Sequence, residues 1–288
     1  MTRSWPGRLA LQLVLPAGLI ALWWWTSESS TSFYYPPLSR IVESLQEDWL
    51  FEQVGTDLLP SLGRFTAGYL IAAAAGIVAG TLIGLAPRLR QASQPVTEFV
   101  RSIPPPLLLP VTLAVFGIGN ASKIAVITLG SVWPVLLNTI DGVRGVDPQT
   151  LDMARSFGLG RRMRITRVML PAASPKIAVG MRTALSVALI LMVISEMVGS
   201  TNGLGFRVLS AQRSFDAPGT YAGVIVIGVV GLIVNIGFLV VEAWIMRWHR
   251  GARGLLDDTT TRRQRRRAAA VAPTPRAAPL VAAEETVR

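Results

Sequence analysis

The chain has 288 residues, a formal net charge of +11, no cysteine and one histidine, His249. Hydrophobic residues make up 51% of it and charged residues only 16%, whereas an ordinary soluble domain carries about 25% charged residues. This composition excludes disorder for most of the chain, a disulfide scaffold, a thiolate metal site, a cysteine nucleophile and any site that needs two imidazoles. Ten arginines and four acids lie in the last 42 residues, so +6 of the charge belongs to a C-terminal tail and predicts no nucleic-acid groove.

Six stretches that are free of Asp, Glu, Lys and Arg predict membrane-spanning helices. They are residues 9–27, 66–87, 102–122, 124–140, 183–195 and 217–241. A span needs about 20 mainly apolar residues, so the fifth is long enough only if Lys176 and Arg182 lie near one interface and Glu196 near the other. We therefore predict an all-α integral membrane protein with six transmembrane helices. The first stretch resembles a signal peptide but has no small-residue cleavage site after it, which favours a retained helix.

The basic residues of the connecting segments predict the orientation. Apart from Arg64 and Arg182, which belong to the ends of the second and fifth spans, six acids and one arginine lie between the first two stretches, whereas six arginines and one lysine lie between the fourth and the fifth. The alternation predicts a multi-pass protein of the cytoplasmic membrane with both termini in the cytoplasm. The segments after the second and fourth spans then face the cytoplasm, and the other connections face outward.

Two further features lie outside the first span and at the start of the second. Residues 36–51 predict an amphipathic helix outside the membrane, with Leu38, Ile41, Val42, Leu45 and Trp49 on its apolar face. Arg64 is expected to snorkel from the outer end of the second span.

Gly76, Gly80 and Gly84 share one face of the second span and predict a close helix contact, within the chain or in a dimer. Pro104, Pro105 and Pro106 in the third stretch predict either a broken helix that lines a cavity or a kinked structural corner.

The segment 147–171 contains helix start and stop residues, which predict a folded projection rather than a simple connection between spans. Asp147 and Pro148 predict a helix start, and Gly158 predicts its end. A second short helix is expected over about 161–168, ended by Pro171. A connection between two spans needs only about five residues, so this length favours docking to a partner.

This segment resembles the EAA motif of binding-protein-dependent ABC transporter permeases, E-A-A-x3-G-x9-I-x-L-P. Asp152 stands at the glutamate, Met153 and Ala154 at the two alanines, and Gly158 at the glycine. Val168 stands at the isoleucine and Leu170-Pro171 at the Leu-Pro, with the motif's spacing throughout. Pro36-Pro37, the run Pro104–Pro106 and the stretch 195–205 are similar to the nitrate, sulfonate and taurine branch of these permeases.

The resemblance implies a type I ABC importer permease fold of six helices with a cytoplasmic coupling helix, here about 158–167. It implies ATPase subunits below the membrane, an extracytoplasmic solute-binding protein and a second permease subunit, as a homodimer. The implied function is transport of an aliphatic sulfonate, taurine or a nitrate-like anion; another small nutrient such as a thiamine precursor is the alternative. The chain itself is then a transport subunit with no catalytic residue, metal or cofactor.

Individual charged residues leave alternatives open. Four arginines of the loop either meet acidic groups of an ATPase or simply carry the positive charge of a cytoplasmic segment: Arg161, Arg162, Arg164 and Arg167. Glu196 either faces the translocation path or makes a structural contact with an arginine or the backbone amides that follow it. Arg182 either attracts an anion in the path or snorkels.

The predicted domain organisation has three parts. Residues 1–57 hold the first span and the external helix, residues 58–248 form the ABC transporter transmembrane domain, and residues 249–288 form a basic, disordered tail that meets membrane lipid. A secondary transporter without an ATPase is the rival from another class, but the inverted repeats and mid-membrane charges that it requires are not evident.

Overall fold

A computed structural model of the chain describes residues 5–49 and 54–246, and the regular structure in this part is helical throughout. The helices are α1 (Trp5–Ser27), α2 (Leu38–Ser44), α3 (Leu59–Leu85), α4 (Pro87–Ser102), α5 (Leu109–Phe116), α6 (Asn120–Arg144), α7 (Pro148–Ser156), α8 (Arg161–Arg164), α9 (Leu170–Met197), α10 (Leu204–Arg213) and α11 (Ala217–Ile245). Short π-helical turns cover Leu45–Trp49, Val54–Leu58 and Ile165–Met169, and a 3-10 turn covers Pro105–Leu108. The fold class predicted from the sequence, an all-α membrane protein, is confirmed.

Four helical runs are long and apolar enough to cross a membrane. They are Val54–Leu85, Asn120–Arg144, Arg161–Met197 and Ala217–Ile245. In α1 the apolar part whose side chains are described, Val14–Ser27, is shorter than a span. The predicted count of six spans is therefore not confirmed within residues 5–49 and 54–246.

The third predicted span is not one helix. Ile103 has an extended backbone and ends α4, because the ring of Pro104 disfavours the helical conformation in the residue before it. The pair Pro87–Ser102 and Pro105–Phe116 is bent by 93° at this break, and counting the pair as one span would bring the number to five. The sequence left two alternatives for the prolines at 104–106, a cavity-lining broken helix or a kinked corner. The 93° bend agrees with a kinked corner, and whether this segment also lines a cavity stays a prediction.

The core is a three-helix layer in which α6 packs against α3 on one side and α9 on the other. Small residues of α3 make the first contact close: a Cβ on Gly76 or Gly80 would fall within 3 Å of Val135 or Thr139 on α6. Gly84 is equally close to Val143. The glycine face thus packs inside the chain, as the first of the two alternatives predicted, and steric fit rather than side-chain bulk holds the two helices together.

The predicted amphipathic helix packs on this bundle. Leu38 and Ile41 of α2 are buried in the main apolar core, and Leu45 packs against it. Val42 is 39% exposed, because α2 ends at Ser44 after two turns and Leu38 and Ile41 are its residues buried in the bundle. The side chain of Trp49 lies outside what the structure describes.

The residues up to Val240 form one compact unit. A second unit begins at Val241, and the structure describes it only as far as Met246, which follows the end of α11. The predicted basic tail, 249–288, lies outside the described residues.

Candidate functional site

The segment between α6 and α9 folds into two short helices with a glycine turn between them. Asp147 caps α7: its Oδ1 accepts a hydrogen bond of 3.0 Å from the backbone N–H of Gln149, and Pro148 occupies the first turn. Proline at this position loses no hydrogen bond and already has a helical φ. The helix start predicted from Asp147 and Pro148 is therefore confirmed.

Gly158 forms the turn. Its φ is +69°, in the left-handed region that glycine enters without steric cost. The N–H of Gly158 donates to the carbonyl of Arg155, and the N–H of Leu159 donates to the carbonyl of Ala154, at 2.9 and 3.1 Å. These two bonds satisfy the last carbonyls of α7 in the Schellman arrangement, so the predicted helix end at Gly158 is confirmed.

The second helix does not end where the sequence predicted. α8 passes through the π-helical turn Ile165–Met169 directly into α9, with Pro171 in the first turn of α9. The N–H of Leu170 donates to the carbonyl of Ile165, five residues earlier. This wider turn moves backbone carbonyls away from the proline ring, which is why Pro171 is accommodated instead of breaking the helix.

The residues at the motif positions occupy different environments. Ala154 is buried at 5% exposure, whereas Val168, Leu170 and Pro171 are half-buried. Asp152 is exposed, and its Oδ1 lies 2.8 Å from Nη1 of Arg155 on the same helix. An exposed pair of this kind adds little stability, so the carboxylate of Asp152 remains accessible to a partner.

The loop presents apolar side chains to its surroundings. Phe157 is 81% exposed, Met153 is 59% exposed and Met163 is 44% exposed. Arg161 and Arg162 are exposed beside Met163. Large apolar side chains left uncovered among charged ones are typical of a docking surface.

A buried ion pair lies at the other end of α9. Nη1 of Arg64 is 2.7 Å from Oε1 of Glu196, and the two side chains are 6% and 0% exposed. Ser61 donates to both carboxylate oxygens at 2.8 Å, and the N–H of Gly205 donates to Oε2 at 3.1 Å. The prediction that Arg64 snorkels outward is wrong, because a buried carboxylate holds the guanidinium inside the protein.

Further groups surround this ion pair, and we define the buried polar cluster as Asp57, Ser61, Arg64, Asn120, Glu196 and Asn202. Four of these residues are buried, whereas Asn202 is half-buried and Asn120 is exposed at the edge of the cluster. Arg64 also donates to the side chain of Asn120 at 2.7 Å and to both the side chain and the backbone carbonyl of Asn202. The N–H of Gly203 donates to Asp57 at 2.6 Å. The cluster joins α3, the start of α6, the end of α9 and the segment before α10.

Sequence reasoning singled out Glu196 in this cluster and missed its partners. Of its two alternatives for Glu196, the structure supplies the contacts of the structural one: an arginine and a backbone amide that follows. The missed signal was charge at span ends, since Arg64 and the buried Lys123 each lie within two residues of a predicted span. A role of Glu196 in the translocation path stays a prediction.

The other candidate path residues are not brought together with Glu196. Pro104 is exposed, and Pro105 and Pro106 are half-buried in the turn that packs on α6 and α9. Arg182 is exposed, about half-way along α9. Within residues 5–49 and 54–246, no three His, Cys, Asp or Glu side chains are grouped to hold a metal ion.

Comparison with known proteins identifies the family. Residues 72–250 match the family of binding-protein-dependent transport system inner membrane components. The chain is 30% identical over 84% of its length to a Bacillus subtilis (strain 168) protein named as the aliphatic sulfonates transport permease SsuC, covering 88% of it. It is 33% identical over 69% of its length to the nitrate import permease protein NrtB of Leptolyngbya laminosa, covering 77% of it.

The fold is similar to that of a solved transporter. A chain of the MetNI methionine ABC transporter, in an inward-facing conformation, superimposes with a TM-score of 0.57 at 17% identity, over 66% of this chain and 94% of that one. The predictions of a transport subunit and of the ABC permease resemblance are confirmed. The chain belongs to the family of binding-protein-dependent transport system inner membrane components, the membrane-spanning permeases of ABC importers.

Proposed function

We propose that the segment 147–171 is the coupling loop by which this permease engages a cytoplasmic ABC ATPase. The observation that carries the proposal is the turn at Gly158, whose φ of +69° sets α8 at an angle to α7 and leaves Phe157 81% exposed. The exposed face of the loop combines Phe157 and Met163 with Arg162 and Arg167. Apolar anchors with a basic rim suit a groove that has an apolar floor and acidic edges.

The loop side of the molecule is the cytoplasmic side in this proposal, and both termini lie there. The support is the distribution of basic residues in the connecting segments, since the loop carries five arginines against two acids. The end of α9 with the buried polar cluster then faces outward, where a solute-binding protein docks. A second copy of the chain completes the path, as a homodimer. Residues 58–248 act as the transporter domain, with 1–57 and 249–288 as flanking parts.

The solute that we propose is a small anion of the sulfonate, taurine or nitrate type. The support is that the relatives named above are permeases for aliphatic sulfonates and for nitrate, both of which are small oxyanions. Pro104, Pro105, Pro106, Arg182 and Glu196 remain the candidate path residues. Because Arg182 is exposed on α9, it is the cationic side chain best suited to meet an anion.

Substitution of Gly158 by valine tests the coupling role. A Cβ at Gly158 has no atom within 4 Å, so the variant changes backbone preference without a steric clash. Valine in the left-handed region costs roughly 1–2 kcal/mol and favours another turn, which misdirects α8. We expect the Gly158→Val permease to lose co-purification with its ATPase and solute-stimulated ATP hydrolysis in proteoliposomes.

Gly160→Val is the matched control. Gly160 also has an open environment, but its φ is −60°, which valine adopts readily. This variant should retain the ATPase. If the wild-type chain captures no ATPase and still transports solute in proteoliposomes, a secondary transporter replaces the proposed function. If Gly158→Val retains the ATPase as the control does, the loop is not the coupling element.

A further inference from the structure

A cleft of about 510 Å³ lies between the loop and the helix ends above it. Its walls come from the end of α3, the start of α4, the end of α6, and helices α7 and α8. Its floor is apolar and includes Leu85, Val143 and Met169. The cleft therefore lies where the ends of membrane-spanning helices meet the loop.

The charge of this cleft is strongly unbalanced. Five arginines line it, against one acid: the arginines are Arg90, Arg144, Arg155, Arg161 and Arg164, and the acid is Asp152. Five positive charges less one negative charge leave +4. In the part of the chain that the structure describes, an ion pair is recorded for only one of these arginines, Arg155 with Asp152. Clustered like charges destabilise the fold unless a counter-anion binds between them.

The arginine side chains that line the cleft favour an anion that carries a phosphate group. A guanidinium presents a planar fork of donors that matches phosphate oxygens, and a set of such forks holds a phosphate group from several directions. The apolar floor adds a surface for the glycerol and acyl part of a phospholipid. Basic pockets between helices at the membrane surface are known to hold anionic lipid headgroups.

The two faces of the second loop helix are separate. Arg164 and Ile165 line the cleft, whereas Arg162, Met163, Thr166 and Arg167 line a shallow depression on the other face. Only Arg161 contributes to both. Occupation of the cleft is thus compatible with the docking of a partner on the opposite face.

We propose that this cleft binds a phosphate group, supplied by an anionic phospholipid headgroup or by a free phosphate anion. The bound phosphate neutralises Arg90 of α4, Arg144 of α6 and Arg164 of the loop together. It thereby ties the loop to the ends of the membrane helices. The inference concerns an anion that stays bound and does not depend on which solute the protein transports.

The test uses the purified full-length chain without its ATPase, in nanodiscs of phosphatidylcholine with or without cardiolipin. Native mass spectrometry measures cardiolipin retention, and calorimetric titration of inorganic phosphate into phosphatidylcholine nanodiscs measures free-anion binding. The test variant is Arg90→Gln/Arg164→Gln. The control, Arg162→Gln/Arg167→Gln, removes the same charge from residues outside the cleft. Thermal unfolding and gel filtration establish that both variants fold.

We expect the cleft variant to bind cardiolipin or phosphate at least about tenfold more weakly than the wild type, because it loses two charge-assisted contacts. The control should change by less than about twofold, as expected for a distant surface charge. Loss of cardiolipin retention alone identifies the lipid as the source, and loss of phosphate binding alone identifies the free anion. Equal weakening in both variants, or wild-type binding by the cleft variant, would overturn the proposal. If Arg90→Gln/Arg164→Gln does not fold, the single variant Arg90→Gln replaces it, with Arg162→Gln as control and the same criteria.

Discussion

Nη1 of Arg64 lies 2.7 Å from Oε1 of Glu196, although the two residues are 132 positions apart in the sequence. The pair joins the beginning of α3 to the end of α9 in an environment that excludes water. Ser61 and the backbone of Gly205 occupy further acceptor positions of the same carboxylate. A carboxylate with these fixed partners holds the beginning of α3 and the end of α9 together.

Removal of Arg64 should strongly destabilise the protein. Arg64→Met leaves the carboxylate of Glu196 buried without its cation, which costs about 3–5 kcal/mol in comparable buried pairs. The measurement is the unfolding free energy in mixed micelles titrated with denaturing detergent. Arg101→Met is the control, since Arg101 pairs with Glu98 at 3.3 Å with both side chains at least half exposed. We expect Arg101→Met to lower the unfolding free energy by less than about 1 kcal/mol. A loss for Arg64→Met as small as that of the control would contradict the importance of the pair.

The carboxylate of Glu196 also restricts a neighbouring glycine. Gly203 has φ +116°, and a Cβ on it would fall 2.5 Å from Cδ of Glu196. Gly199 has φ +65°, but there the nearest atom to a Cβ is Cγ2 of Ile118 at 3.9 Å. Both alanine variants therefore carry backbone strain, and only Gly203→Ala displaces the carboxylate. We expect Gly203→Ala to lose about 1–3 kcal/mol more in unfolding free energy than Gly199→Ala. Equal losses would mean that the cluster adapts freely.

The contact of α3 with α6 predicts a difference between two glycines of one helix. A Cβ on Gly80 would fall 2.7 Å from Cβ of Thr139 and 2.8 Å from the backbone oxygen of Leu136, whereas a Cβ on Gly63 meets no atom within 4 Å. Gly80→Ala should lower the unfolding free energy by about 1–3 kcal/mol through overpacking. Gly63→Ala should raise it by up to about 1 kcal/mol through helix propensity. The same detergent titration measures both, and a stabilising Gly80→Ala would show that the helices separate at little cost.

The proposed orientation predicts which side of the membrane labels a given residue. The chain has no cysteine, so Ser156→Cys in the loop and Ser214→Cys at the end of α10 each introduce a single exposed thiol. In intact cells a membrane-impermeant maleimide should label Cys only in the Ser214→Cys protein. In inverted vesicles it should label the Ser156→Cys protein instead. The reverse pattern would place the loop outside and refute an ATPase-facing role.

The sequence predicted the loop well because its signals are local. An Asp-Pro start and a glycine end are enough to specify α7, and both act through backbone groups within four residues. The end of the second helix at Pro171 was predicted wrongly, because a π-helical turn that accommodates proline has no clear local signature. The prediction of the third span as one continuous stretch was incomplete for a related reason. The hydropathy of a segment reports its length and polarity but not the bend that Pro104 imposes.

The buried polar cluster was beyond sequence reasoning for a different reason. Arg64 and Glu196 each lie near a span end, where a charged side chain usually reaches the headgroup region. Only the packing of α3 against α9 brings them together, and that packing depends on contacts between residues far apart in the chain, such as Tyr69 and Met181, which are 112 positions apart. The sequence therefore identified one residue of the buried polar cluster, Glu196, and predicted that an arginine or backbone amides contact it. It did not identify Arg64 as that arginine.

The unbroken helical path from Arg161 to Met197 has a mechanical consequence. Its 37 residues extend about 55 Å at the usual rise per residue. A flexible loop between α8 and α9 would let one helix move without the other. The 93° break between Pro87–Ser102 and Pro105–Phe116 interrupts the helical path in this way, whereas the path from Arg161 to Met197 has no such break. Because no loop separates α8 from α9, we expect a rotation of α8 to be transmitted through α9 to its last turn, which contains Glu196. The ion pair of Glu196 with Arg64 joins this end of α9 to α3. A rotation that begins at the loop is therefore expected to move α3 as well as α9.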